Sequence, residues 1–281
     1  NGTVLVGAAG DENSYHRNFP AMENRILYVH SVRGDNQNEG KGDVRSYLNF
    51  LNCNNFGPRL DLVASSTACA TGATAKIAGA AALVISAGMD AGEDLSAGQV
   101  RTLLRASADD VYVLEEDQKK LNTYPSKPGW DAFYGYGRVN VGAAVERVMR
   151  GELGPEVNLA GPHWFSFHNG TVEVSGEVDA EKWELSLGVG MEPEVWMSVA
   201  EGSGADSGVL AAVDLSLYGK SVMSPDVPAG ILDRADRAHQ PLVTLRIVAE
   251  KEGLRAEDRV GVWVLDDPSL LGGKPISMGA S

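Results

Sequence analysis

The sequence predicts a parallel α/β sheet covered by helices, followed by an all-β unit. Two observations carry this. Up to Arg150 short apolar runs alternate with segments bounded by helix-capping residues, the pattern of strands laid parallel by helical crossovers. Beyond Gly161 the pattern changes to apolar–polar alternation with a period of two, as in antiparallel strands with one buried face. A third observation locates the centre of the first unit. Ala68 to Ala87 is a run of mostly small side chains, Ala, Gly and Thr among them, whose one charge is Lys76. Small side chains keep little surface of their own, so the run predicts a helix approached closely on nearly all sides.

The elements follow in order. Thr3 to Ala9 is a buried strand that leaves its sheet into the polar loop Gly10-Asp11-Glu12-Asn13-Ser14. Strands are expected at Ile26 to Val32 and Leu60 to Ala64, with a Gly/Asn/Asp-rich loop from Arg33 to Lys41. After the small-residue helix, Ser96 and Gln99 have the spacing of a capping box, and the helix they open turns Val100, Leu103 and Leu104 inward. Asn140 caps the next helix, in which Val141, Ala144, Val145, Val148 and Met149 fall at helical spacing. Gly151 sits where a left-handed residue ends it.

Residues 151–161, with Pro155 inside and Pro162 just after and no periodicity, are expected as a linker between an α/β domain over 1–150 and a β domain over 162–281. In the latter, segments at 171–178, 183–189, 195–199, 210–215, 242–248 and 259–265 alternate apolar and polar residues, which suggests a β-sandwich.

Composition bounds the function. A net charge of −14 and a pI near 4.8 argue against nucleic acid or an anionic membrane surface as partner, since both need a positive field. The acidity is concentrated in the second part, with 17 acidic and 15 basic residues up to Arg150 but 21 and 9 from Gly151 on. These residues hold no uninterrupted apolar run of membrane-spanning length and no Lys/Arg-headed signal pattern, so a chain that does not span a membrane is expected. The first residue is Asn1, from which an upstream part is expected to be missing. Cys53 and Cys69 lack metal-ligand spacing; a single bridge in an oxidising compartment and a free buried thiol both remain open.

Several short stretches together resemble a known family. Gly7-Ala-Ala-Gly-Asp11, Phe19-Pro-Ala21, Asn55-Phe-Gly57, Leu60-Asp-Leu-Val-Ala64, Ala78-Gly-Ala-Ala-Ala-Leu-Val84, Leu95-Ser-Ala-Gly-Gln-Val100 and Tyr134-Gly-Tyr-Gly-Arg-Val-Asn140 occur in the order and spacing of the later part of subtilisin-like serine peptidases. The tail, through Gly208-Val-Leu, Thr244-Leu-Arg-Ile and Glu257-Asp-Arg-Val260, resembles the β-sandwich that follows some of these enzymes. The resemblance implies the C-terminal half of a subtilisin-like parallel sheet with helices on both faces, joined to an immunoglobulin/fibronectin-like sandwich. In the family the triad runs Asp, His, Ser along the chain, so the first two members would lie upstream of the matched region.

In that register the family pattern Gly-Thr-Ser-Met-Ala-x-Pro-x-Val-Ala-Gly falls on Cys69 to Gly79. The nucleophilic serine is then Thr71, the opening glycine Cys69, the proline Ala75, and the oxyanion-hole asparagine Asp11. Thr71 keeps a hydroxyl, but its methyl stiffens χ1 and adds bulk where a substrate carbonyl must approach. A helix N-cap or packed threonine is the alternative role for Thr71. An Asn amide donates to an oxyanion, whereas an ionised Asp11 only accepts and repels it. Asp11 could otherwise end a strand or ligate a cation with Glu12.

No replacement triad is visible. His16, His30, His163, His168 and His239 are scattered, Ser65 and Ser66 are out of register, and Lys76 stands five residues after Thr71, too far along a helix to serve as its base. Asn1 and Asn169 begin Asn-Gly-Thr triplets, which fit glycosylation or a turn equally.

Two functions follow as expectations. The first is a pseudopeptidase acting in binding or assembly with another polypeptide, or with an N-terminal subtilase half that completes the sheet. The second is an active two-chain endopeptidase with Asp and His supplied by that fragment and Thr71 as nucleophile. Under either, the protein is secreted or on the cell surface, takes a protein or peptide ligand, requires no cofactor, and leaves room for a structural calcium ion. The edge at Thr3 to Ala9 is expected to be open.

Overall fold

The computed structural model describes residues 2–14, 18–32, 55–66, 68–112, 126–216, 218 and 242–264. The first unit is a parallel three-stranded sheet in the order β1 (Leu5–Ala8), β2 (Ile26–Val32), β3 (Leu62–Ser65). Register runs Leu5 opposite Ile26 and Val29 opposite Leu62. Central β2 is almost wholly buried, as a strand paired on both edges and covered on both faces must be. Among the described residues three helices follow: α1 (Cys69–Ala91), α2 (Ala97–Ala106) and α3 (Val141–Met149).

Alternation along β2 divides the core. Leu27 and Val29 point to one face, where they meet Ala73, Ile77, Ala80 and Val84 of α1, Leu103 and Leu104 of α2, and Ala144 and Val148 of α3. Tyr28 and Val32 belong to the other face. Among the described residues it is covered not by a helix but by Phe56, Trp130, Phe133 and Tyr134 from loops. Aromatic rings fill there the volume that a helix was expected to occupy.

Helix α1 also departs from expectation. Its buried residues, Ala70, Ala73, Ile77, Ala80, Ala81, Val84, Ala87 and Gly88, form one stripe at helical spacing. The opposite face, through Thr71, Ala75, Gly79, Ala82, Leu83, Ser86 and Met89, is exposed. Small residues therefore line both a packed and an open side. Among the described residues α1 is long and apolar enough to cross a bilayer, yet it packs on β1, β2 and α3 as a core helix. The predicted ends of the other helices are present: Ser96 and Gln99 form the capping box, Asn140 accepts from the Ala143 N–H at 3.0 Å, and Gly151 is left-handed.

Among the described residues the second unit is one six-stranded sheet built from β4 (Glu156–Gly161), β5 (Phe167–His168), β6 (Thr171–Val189), β7 (Met197–Asp214), β8 (Leu242–Lys251) and β9 (Leu254–Val264). The long β6 organises it. β7 runs antiparallel along one edge of β6, while β4 and β8 share the other edge end to end. Register shifts after Val174, Ala180 and Leu185 curl this ribbon. The strands expected in two facing sheets are thus joined by hydrogen bonds into a single curled one around Val157, Trp183, Leu185, Leu245, Ile247 and Val262. Part of the expected linker is β4 itself, which pairs with β6.

Buried charge joins the two units. Arg105 on α2 reaches Asp61, just before β3, at 2.8 Å and Asp258 on β9 at 2.9 Å; Arg59 meets Asp61 at 2.6 Å. Asp61 also accepts from the Tyr28 N–H and Asp258 from the Leu159 N–H, so each carboxylate has hydrogen bonds besides its ion pairs. Burial alone would lower the Arg105 pKa, but Asp258 and Asp61 outweigh it and hold the guanidinium charged.

Candidate functional site

The loop after β1 meets the N-terminus of α1, where the family register places the chemistry. Ala9 is fully buried, and its carbonyl accepts from Asn18 Nδ2 at 2.7 Å, Asn55 Nδ2 at 2.8 Å and Tyr28 Oη at 3.0 Å. Burial pushes the Tyr28 phenol up to about 12, so it remains a donor there. Asn55 Nδ2 also reaches Glu12 Oε2 at 2.5 Å, Asn55 Oδ1 accepts from the Ser14 N–H at 3.3 Å, and the Asn55 N–H donates to Gly10 at 3.1 Å. Gly10 has φ +101°, and a Cβ there would lie 2.0 Å from Asn18 Nδ2. Only glycine permits both the turn and this close approach.

The pinned loop delivers Asp11 to the helix. Asp11 Oδ1 accepts from the Ala70 N–H at 3.0 Å. Residue Ala68 holds the N-cap position of α1 but has no capping side chain, so the carboxylate of Asp11 satisfies one of the helix's orphan donors from 59 positions away. A negative charge is favourable at that end of the helix macrodipole.

Around it the entrance is compact. Ser66, nearly buried, accepts from the Ala68 N–H at 3.0 Å, and a Cβ on Gly72 would lie 2.1 Å from Ser66 Oγ, so glycine makes room for that hydroxyl. Lys76 Nζ donates to the Ser65 carbonyl at 2.5 Å. Cys69 is left-handed at φ +45°, a conformation natural to the glycine that the family has at this place and rare for other residues. Cys69 is disulfide-bonded, which removes the free-thiol alternative. The other cysteine of the sequence, Cys53, lies outside the described residues.

Thr71 occupies the first turn of α1 and is exposed. It is neither the N-cap, which is Ala68, nor a packed core residue. Among the described residues no histidine, lysine or carboxylate hydrogen-bonds its hydroxyl. His30 is buried on β2, its ring nitrogens 2.6 Å and 2.5 Å from the carbonyl oxygens of Ser31 and Phe133, and burial lowers its pKa. His163 faces Glu23 at 3.4 Å and His168 lies on β5, both far along the chain from α1. His16 and His239 lie outside the described residues. Ser166 Oγ and His168 Nε2 are 2.8 Å apart, but the hydroxyl donates to the His163 carbonyl at 2.6 Å. The imidazole therefore donates to Ser166 and does not act as its base.

Among the described residues no group of three or more His, Cys, Asp or Glu side chains is placed to hold a metal ion, and Asp11 is occupied by Ala70. The sequence pointed to Asp11 and Thr71, and the structure puts both at the α1 entrance. It did not reveal that Asn55 fixes the loop; the Asn55-Phe-Gly57 match was the available signal.

No protein-family model and no curated protein matches the chain. Solved structures similar to part of this chain include three proteases. The prenylagaramide maturation protease PagA is 18% identical, over 52% of this chain and 50% of that one, with a TM-score of 0.39. A lanthipeptide protease is 20% identical over 51% and 50%, with a TM-score of 0.37. A serine-to-alanine mutant of the protease domain of PatA is 22% identical over 53% and 50%, with a TM-score of 0.38. This chain thus spans about half the length of each.

Proposed function

We propose that this is a subtilase-like protein whose peptidase centre is degenerate and which works in binding or assembly with another polypeptide. The hydrogen bond from the Ala70 N–H to the Asp11 carboxylate carries this reading. Acyl transfer needs donors aimed at an emerging oxyanion, and here the corresponding side chain is an acceptor already engaged by the helix it would have to share. Loss of one such donor costs about 100-fold to 1,000-fold in turnover, and a fixed negative charge opposes the oxyanion as well.

Assembly is supported by two neighbouring surfaces. The outer edge of β1 has no strand partner among the described residues, and Leu5 on it is half exposed. The open face of α1 is apolar apart from Thr71, Lys76, Ser86 and Asp90. A polypeptide that adds a strand to β1 and lays an apolar surface on α1 would cover both, as an N-terminal subtilase half would. The second unit, read from the sequence as a sandwich, then presents a further β surface. The bridge at Cys69 supports a secreted or cell-surface location, where disulfides persist.

The exposure of Thr71 favours one alternative, a two-chain endopeptidase in which the partner brings Asp and His to this hydroxyl. The two readings part on hydrolysis by the assembled protein. The degenerate centre predicts no cleavage of a peptide library above that of the Thr71→Ala assembly. Cleavage lost in Thr71→Ala would establish the enzyme.

A further inference from the structure

At the end of the first sheet opposite the α1 entrance, four side chains stack across the junction of the two units. Trp130, whose indole N–H donates to the Leu60 carbonyl at 2.9 Å ahead of β3, lies under Arg259 of β9, with Cζ 3.8 Å from the ring centroid. Arg259 is 5.8 Å from the ring of Trp196, and Arg246 of β8 sits over that same ring at 3.8 Å. Arg246 and Arg259 are direct cross-strand partners. Like charges opposed in this way repel. The two indoles relieve part of that repulsion through their negative faces.

Stacking satisfies only the faces of a guanidinium. Its N–H donors radiate in the plane, and several are unfilled among the described residues: Arg259 is 8% exposed, and its Nε and Nη1 have no hydrogen-bond partner there, nor has Nε of Arg246. Buried charged donors without acceptors are costly. Both arginines line a cleft of about 240 Å³ between Trp130 and the β8–β9 surface. The charge in it is unbalanced. Lys127 and Glu192 pair at 3.1 Å across its rim, which leaves Glu257, among the described residues that line it, as the one carboxylate against three arginines, 3.7 Å from Arg259 and 3.8 Å from Arg255.

We infer that this cleft binds a carboxylate group presented by an acidic peptide. A carboxylate supplies two coplanar acceptors for the guanidinium groups of Arg246, Arg255 and Arg259 that line the cleft, and the indole walls suit the aliphatic stem of a Glu side chain. Glu257 within the cleft disfavours a dianion, so a carboxylate is accepted before a phosphate. The site is separate from the α1 entrance, and it gives a chain of net charge −14 a local preference for acidic partners.

The full chain titrated with Ac-Ala-Glu-Ala-NH2, followed by tryptophan fluorescence and calorimetry, tests this. Saturable binding is expected, about tenfold or more tighter than that of Ac-Ala-Gln-Ala-NH2, and about tenfold weaker in Arg259→Gln. Arg255→Glu is a second variant on the solvated rim, with 57% of its side chain exposed, so the fold tolerates it; it should weaken binding at least about threefold. Binding of Ac-Ala-Ala-Ala through its free C-terminus, with the same dependence on Arg255, also supports the carboxylate assignment. Equal affinity for the Glu and Gln peptides, tighter binding of inorganic phosphate, or an Arg255→Glu chain that binds as the parent does would overturn it.

Discussion

Asp11 Oδ1 lies 3.0 Å from the Ala70 nitrogen and caps α1 one residue before Thr71. A side chain from the loop after β1 thus replaces the missing cap at Ala68, and it does so with a full negative charge. On the proposed reading, the same contact that stabilises the helix also places an acceptor where acyl transfer would need donors.

Removal of this cap should destabilise the protein modestly. Asp11→Ala is expected to cost about 1 kcal/mol, and Asp11→Asn less, since its amide oxygen still accepts but the charge–dipole attraction is gone. Urea unfolding at neutral pH checks both values. If the two variants are as stable as the parent, the hydrogen bond has no capping role.

Arg105 should matter more. Its replacement by Ala leaves Asp61 and Asp258 buried without their shared cation, a loss of about 3–5 kcal/mol. Arg59 continues to neutralise Asp61, so the smaller end of that range is expected. Chemical denaturation of Arg105→Ala measures it, and a cost below about 1 kcal/mol would mean that the junction does not depend on the pair.

His30 sets a pH dependence of definite sign. Burial lowers its folded pKa below the unfolded value of about 6.5, so the unfolded chain binds the proton more tightly. Its contribution is fully present above about pH 6.5 and is lost as pH falls below that. Unfolding followed at pH 7.5 and pH 5 should show a drop that His30→Asn diminishes. A drop of the same size in the variant would assign it to other groups.

The exposed face of α1 should tolerate charge in the isolated chain and not in an assembly. Leu83 is 56% exposed, and Leu83→Lys should change stability by less than about 0.5 kcal/mol. Co-purification with an upstream subtilase half should be lost in the same variant. Retained co-purification would place the partner elsewhere.

Much of the fold was legible because it rests on local rules. The capping box at Ser96 and Gln99, the Asn140 cap, the left-handed Gly151 and all seven residues of β2 can be read from short windows, where spacing and capping chemistry decide the conformation. What failed depended on distant partners. Composition told that α1 has close neighbours but not that they lie on one side only, since Ala and Gly suit a packed face and an open one alike. The curl of β6 arises from register shifts against β7, and the pattern of alternation gives no sign of which strands join edge to edge. At the candidate site the family register placed Asp11 and Thr71, while the bond to Ala70 spans 59 positions and has no local signature. The Arg246–Trp196–Arg259–Trp130 stack likewise joins residues from separate elements.

The central claim, that the α1 entrance no longer supports nucleophilic catalysis, is tested most directly by covalent labelling. The full chain, assembled with an upstream subtilase half that carries Asp and His, would be treated with a fluorophosphonate probe and analysed by peptide mass spectrometry. The Asp11–Ala70 contact predicts no adduct on Thr71. An adduct on Thr71 that disappears in Thr71→Ala would contradict it.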